Sequence, residues 1–250
     1  APLILAENQP VGTVVGEFNG TDPDANSTLV YFLAPGNGDH NNSLFSLETN
    51  GTLTSQVVFD FESNASTYSL LVGVKDEYNA SLEKTFTVSL TNVNEFPYDL
   101  NLTTALILTE NQPVGTVIGN LSALDPDANY SLSYSLISGT GDMGNSFFTM
   151  DGNGSLSSNV MFDFENNAST YSIRSVVKDE FNASVEGIFT ITLTDLFEDL
   201  DGDGIADHLD SDEDGDGFSD AVEIAYGSDP RDTNSVANAP PSDLNSNGPL

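Results

Sequence analysis

The sequence has no cysteine and no tryptophan, only two histidines, and 5 lysines and arginines against 39 aspartates and glutamates in its 250 residues. Without cysteine there are no disulfides, thiolate metal sites or cysteine nucleophiles, so any stapling must come from elsewhere. The formal charge of −34 repels phosphate backbones and anionic bilayers and attracts cations, which argues against nucleic acid as a partner. No apolar run approaches the ~20 residues that cross a bilayer, so no membrane insertion is expected in this segment. The chain starts Ala1-Pro2-Leu3, with neither an initiating Met nor a basic-then-apolar leader, and reads as a fragment or a mature segment. Catalysis has little to stand on, and no enzyme is expected. His40 lies in a Gly/Asn loop and His208 at a non-ligand position of an Asp-rich loop, neither with a nucleophile nearby in sequence.

What the sequence does contain is an internal repeat. Glu7-Asn8-Gln9-Pro10-Val11-Gly12-Thr13-Val14 returns as Glu110-Asn111-Gln112-Pro113-Val114-Gly115-Thr116-Val117, an offset of 103 residues. At the same offset Asp22-Pro23-Asp24 returns as Asp125-Pro126-Asp127, Asp60-Phe61-Glu62 as Asp163-Phe164-Glu165, and Lys75-Asp76-Glu77 as Lys178-Asp179-Glu180. Two copies are expected over 1–97 and 98–198, followed by an Asp-rich segment over 199–232 and a flexible linker over 233–250. The last 52 residues hold 14 acids, one base, and only Phe218 and Tyr226 as aromatics. Such a segment cannot build an ordinary core.

Within each copy the apolar period is two. Tyr68, Leu70, Val72 and Val74 alternate with Ser69, Leu71 and Gly73, and Phe86, Val88 and Leu90 with Thr85, Thr87 and Ser89, as in half-buried strands. Further strands are expected at 3–6, 13–18, 29–33, 44–48 and 52–56, between Gly, Asn, Asp and Pro punctuation. About seven short strands in ~100 residues is the count of an immunoglobulin-like sandwich. The predicted fold class is therefore all-β: two tandem β-sandwiches plus a small irregular Asp-rich segment.

The carboxylates recur at particular places. In extended chain Asp60 and Glu62 share a face while Phe61 turns inward, and Asp22 and Asp24 flank a proline that fixes the backbone between them. Taken singly, each has a plainer explanation: Asp-Pro-Asp starts turns, and an acidic strand end faces water. Their joint recurrence favours a divalent ion. Ca²⁺ takes 6 to 8 oxygen ligands, whereas Mg²⁺ prefers to keep its waters.

On these residues the sequence resembles the cadherin family in its bacterial cadherin-like form. The Glu-Asn-x-Pro-x-Gly stretch, the Asp-x-Asp pair, the Asp-x-Glu triplet, the late Asp after Val and Lys, and the linker Asn92-Val93-Asn94-Glu95-Phe96-Pro97 follow the family's order over nearly all of 1–198. The resemblance implies calcium ions at the boundary between copies. They would be held by Glu7, Asp60 and Glu62 of the first copy, Asn92, Asn94 and Glu95 of the linker, and Asp125, Asp127 and Asp179 of the second. The linker departs from the family pattern, with Asn92 in place of Asp, Glu95 in place of Asp and Phe96 in place of Asn. The corresponding cluster at the end of the second copy is Glu110, Asp163, Glu165, Asp195 and Glu198.

The tail carries its own signature. Asp199, Asp201, Asp203, Asp207 and Asp210 occupy positions 1, 3, 5, 9 and 12 of a loop with Gly204 at 6 and the carbonyl of Ile205 at 7, the oxygen spacing of a helix-loop-helix calcium loop. Thirteen residues on, Asp212, Asp214, Asp216, Asp220 and Glu223 repeat it, with Gly217 and Phe218 in the matching places. The alternative, an acidic disordered tail, does not account for a glycine at the same loop position twice. Helices on both sides are absent, and the segment resembles the type 3 repeats of thrombospondins. One helical turn carrying Glu223 is expected over 221–226, before Gly227.

The combined expectation is a calcium-rigidified extracellular module of a bacterial surface or secreted protein, serving cell adhesion. Its partners would be neighbouring domains of a longer chain and a protein or glycan on another cell. Extracellular placement follows from calcium demand, since modules of this type bind at ~10⁻⁴–10⁻³ M. The alternatives are a passive spacer for a catalytic or carbohydrate-binding domain, and salt adaptation with no specific ion.

Overall fold

A computed structural model describes residues 2–24 and 27–236, so most of the expected linker lies outside the described residues. The first repeat forms β1 (Leu3–Ala6), β2 (Val14–Glu17), β3 (Val30–Leu33), β4 (Phe45–Leu47), β5 (Thr52–Ser55), β6 (Thr67–Lys75) and β7 (Ser81–Thr91). The second forms β8 (Tyr98–Leu102), β9 (Ile107–Thr109), β10 (Val117–Leu124), β11 (Ser133–Leu136), β12 (Phe148–Met150), β13 (Ser155–Ser158), β14 (Thr170–Lys178) and β15 (Ser184–Thr194). In the first repeat one sheet runs β1-β7-β6-β3 and the other β2-β5-β4; in the second they run β9-β15-β14-β11 and β12-β13-β10-β8. Each repeat is a β-sandwich.

The sequence repeat reproduces the pairing register. β1 lies parallel to β7 with Ile4 opposite Ser89, and β9 lies parallel to β15 with Ile107 opposite Thr192. β2 and β10 each carry a bulge before a glycine. A Cβ at Gly16 would fall 2.6 Å from Leu3 Cδ2, and one at Gly119 2.8 Å from Leu106 Cδ2, so a larger residue at either place would have to displace a leucine of the core.

The cores follow the period-two pattern. Leu53, Leu70 and Val88 are fully buried in the first sandwich, and Leu156, Ile173 and Ile191 in the second, each stabilising by about 2 kcal/mol. Phe59 packs edge-on to Tyr68 at 4.8 Å between ring centroids, and Phe162 to Tyr171 at 5.1 Å. The strand expected over 44–48 is shortened to 45–47 by a 3₁₀ turn over Asn42–Leu44. Asn42 is held there because its amide donates to Ala34 O at 2.8 Å and accepts from Leu71 N at 3.0 Å.

The chain divides into two compact units. The first comprises residues to Tyr98 together with 124–132 and 178–185; the second comprises 99–123, 133–177 and everything from Glu186. Thus two acidic loops of the second repeat belong to the first unit. No helix of the described residues is long and apolar enough to cross a membrane.

Candidate metal centres

In the first unit the acids expected around the linker come together. Glu7, at the end of β1, is fully buried. Its carboxylate accepts the backbone N–H of Phe61 at 2.6 Å and of Val93 at 2.7 Å, which ties the 60–62 segment and the linker to one side chain. Glu62 lies in a turn rather than in extended chain, and Asp60 immediately precedes that turn. The difference arises because Asp60 caps the turn, accepting from Ser63 N and Ser63 Oγ at 2.9 Å each. Those bonds hold its carboxyl below the usual range, the backbone one foremost. Oxygens of Glu7, Asp60 and Glu62 nevertheless lie within 4.8 Å of one another, as do those of Glu62, Glu95 and Asp127.

The linker engages the loops of the second repeat that belong to this unit. Asn92 Nδ2 donates to Asp127 Oδ1, Glu95 N to Asp127 Oδ2, and Asn94 Nδ2 to Asp179 Oδ2, each at 2.8 Å. Asp125, Asp127 and Asp179 are all buried. Burial pushes the carboxyls of Glu62, Glu95 and Asp125 up, and neighbouring acids add to the effect in each case.

In the second unit Glu110 repeats the role of Glu7, accepting from Phe164 N at 2.5 Å and Leu196 N at 2.8 Å. It groups with Asp163 and Glu165. Asp163 is held low by Asn166, whose side chain donates at 2.8 Å and backbone at 2.9 Å. Glu198 is pushed up by burial and then by Glu110 and Glu165. Asp195 is exposed and joins none of the acid groups. The tail reaches this cluster: Asp207 N donates to Glu198 O at 2.9 Å, and His208 Nδ1 lies 3.6 Å from Glu165 Oε1. Glu165, Glu198, Asp207, His208, Glu213 and Arg231 border a cavity of about 490 Å³ there.

Both tail loops are folded turns with an acid trio. Oxygens of Asp199, Asp201 and Asp203 lie within 4.8 Å of one another, as do those of Asp212, Asp214 and Asp216. Gly204 and Gly217 adopt φ of 92° and 97°, left-handed values that glycine takes without strain, and their N–H groups donate to Asp199 Oδ2 and Asp212 Oδ2. The N–H groups of Ile205 and Phe218 donate to Asp203 and Asp216 at 2.8 Å. Asp207 and Asp220 close their loops by accepting from Leu200 N and Glu213 N, while Asp210 accepts from Asp212 N. A short helix α1 (Asp220–Tyr226) buries Glu223 completely. Burial raises the carboxyls of Asp212, Asp214 and Glu223.

Carboxylate oxygens only accept hydrogen bonds, and buried ones without a donor are costly. Both oxygens of Glu62 are buried with no hydrogen-bond partner, as are one each of Glu95, Asp125, Asp212, Asp214 and Asp216 and both of Glu223. This donor set is all hard oxygen, matching a divalent cation of the calcium type. Sequence reasoning missed the backbone donors that hold Glu7 and Glu110. It also gave no role to Arg231, which pairs with Asp207 at 2.9 Å and with Glu213. The first could have been suspected from the identical contexts of Glu7 and Glu110; nothing in the spacing pointed to the second.

Comparison with known proteins assigns families to the two sandwiches and to the tail. The Cadherin domain family model matches residues 2–91 and 105–194, and the Bacterial TSP3 repeat model matches 212–233. The second tail loop falls inside that match and the first outside it. Mouse cadherin-related family member 3 is 32% identical over 114 residues, covering 45% of this chain and 13% of the relative. Human protocadherin Fat 4 is 36% identical over 159 residues, covering 59% of this chain and 3% of the relative. The chain therefore spans a small fraction of these curated relatives. Among solved structures, human protocadherin-24 EC1-2 (form II) superposes with a TM-score of 0.61 at 21% identity, covering 77% of this chain and 94% of that one. Drosophila N-cadherin EC1-4 gives 0.57 at 21% identity, covering 78% and 47%. At these identities the likeness is one of fold.

Proposed function

The chain belongs to the cadherin family, and from that premise we propose that it is a non-catalytic, calcium-binding extracellular module that mediates cell adhesion from a bacterial surface or secreted protein. The match of the tail to a bacterial repeat model supports the source, and cadherin domains in its relatives support the setting.

The observation that carries the reading is the set of buried carboxylate oxygens without donors. In the first unit Glu7, Asp60, Glu62, Asn92, Asn94, Glu95, Asp125, Asp127 and Asp179 would hold calcium. In the second, Glu110, Asp163, Glu165 and Glu198 would do so, and the tail acids with the carbonyls of Ile205 and Phe218 would form two further sites. Bound calcium would supply the countercharge that these acids lack, at the millimolar concentrations found outside cells. Glu7 and Asp127 are the residues through which the effect would spread, because they already bind the linker through backbone donors. With the mutual repulsion of Glu62, Glu95 and Asp127 relieved, the 60–62 segment, the linker and the 125–127 loop would be fixed together.

Beads coated with the full chain test the adhesive part. Aggregation in millimolar calcium that reverses with chelator is expected. Calcium binding without aggregation at any coating density would instead favour a passive spacer.

A further inference from the structure

The two tail loops repeat one another at an offset of 13 residues, yet their acids are engaged differently. In the second loop Asp212, Asp214, Asp216 and Glu223 each keep at least one buried oxygen with no hydrogen-bond partner; no acid of the first loop does so among the described residues, where Asp201 and Asp203 are exposed to solvent. Glu223 is fully buried and brought to its loop by α1, whereas the residue at the matching position, Asp210, spends an oxygen on Asp212 N. In the first loop the acid at position 9, Asp207, accepts Leu200 N on one oxygen and Arg231 Nη2 on the other, at 2.7 and 2.9 Å.

Arg231 also pairs with Glu213, at position 2 of the second loop. It sits in a folded turn after α1, in which Asp229 Oδ1 accepts Arg231 N and Asp229 N donates to Ser235 Oγ. The side chains of Asp207 and Glu213 are 10% and 13% exposed, and that of Arg231 is 59% exposed. The acids are thus shut away and need a countercharge, while the guanidinium is free to leave. While it is paired with Asp207, that positive charge also opposes entry of another cation into the first loop.

We propose that Arg231 is a built-in counter-ion of the first tail loop, so that the two loops load calcium unequally: the Asp212–Glu223 loop fills first, and the Asp199–Asp210 loop fills only as Arg231 is released from Asp207. This rests on the calcium reading above and adds a graded response to it. Below the filling point of the first loop, Arg231 holds the two loops together without metal.

The amides of Gly204 and Gly217 report the loops separately in an isotope-labelled full chain titrated with calcium chloride and followed by nuclear magnetic resonance. The Gly217 signal is expected to shift at lower calcium than the Gly204 signal. Arg231→Gln should lower the Gly204 midpoint roughly threefold or more, the order expected for releasing a partly exposed ion pair, with a smaller effect on Gly217. Lys84→Gln makes the same change in net charge at a side chain of β7 and should move neither midpoint. Equal midpoints in the wild type, no change at Gly204 in Arg231→Gln, or equal changes at both glycines would overturn the proposal while leaving the calcium reading intact. Absence of any calcium response in both loops would overturn the proposal together with the calcium reading of the tail.

Discussion

Glu7 Oε1 accepts the backbone N–H of Val93 at 2.7 Å across 86 residues of sequence, so one buried carboxylate fixes the start of the linker to the end of the first strand. With Phe61 N on its other oxygen, this acid is structural before any cation arrives. Glu7→Ala leaves two backbone donors without their partner and is expected to cost about 2 kcal/mol. Thermal unfolding in chelator should show the loss; an unchanged midpoint would mean that water satisfies both donors.

Glu62 is the opposite case. Its two oxygens are buried and unpartnered, and its neighbours Glu7, Glu95 and Asp127 repel it. Glu62→Ala should therefore leave stability in chelator unchanged or raise it by up to about 1 kcal/mol, while abolishing most of the added stability that calcium gives the first sandwich. Paired melts of wild type and variant, with calcium and with chelator, separate the two effects.

Acidity should act with a definite sign. Glu62, Glu95, Asp125, Asp212, Asp214 and Glu223 have carboxyls raised by burial above the ordinary values of 3.8 for Asp and 4.5 for Glu. Their contribution to stability is fully present below the ordinary value and is lost as pH rises through the raised one. Asp60 and Asp163 are lowered, so their contribution is present above 3.8 and is lost as pH falls through the lowered value. In chelator the melting midpoint should rise as pH drops from 7 toward 4.5, then fall below 3.8. In calcium the rise should be smaller, because protons compete for the same oxygens. A chelated midpoint that falls steadily from pH 7 downward would contradict the assignment.

Asp216→Ala removes one of the buried, unpartnered oxygens of the second tail loop. Proteolysis of the wild-type tail around 212–223 should be slow in calcium and fast in chelator. In the variant it should be fast in both, while both sandwiches stay intact.

Much of this was legible in the sequence because the repeat doubles every signal. Leu53 and Leu156, or Val88 and Ile191, alternate with polar residues in both copies, and burial on one sheet face leaves them no other register. Gly204 and Gly217 announced their left-handed turns through their place in the Asp spacing. Other features arise from contacts that no local pattern encodes. The backbone N–H groups of Phe61 and Val93 belong to every sequence, so their aim at Glu7 is set by the fold. Asp60 and Glu62 suited a strand by spacing, but Ser63 offers Asp60 a turn cap that competes with extension. Arg231 lies 24 residues from Asp207, and a lone basic residue in an acidic tail carries no spacing signal.

Equilibrium dialysis of the full chain against radioactive calcium in high sodium chloride separates specific cation sites from a diffuse ion atmosphere. If the donorless oxygens of Glu62, Asp125, Asp214 and Glu223 belong to cation sites, uptake will saturate at a fixed number of ions per chain and survive the sodium. Uptake that rises without limit and disappears as sodium is added would mean that the acids hold only a diffuse ion cloud.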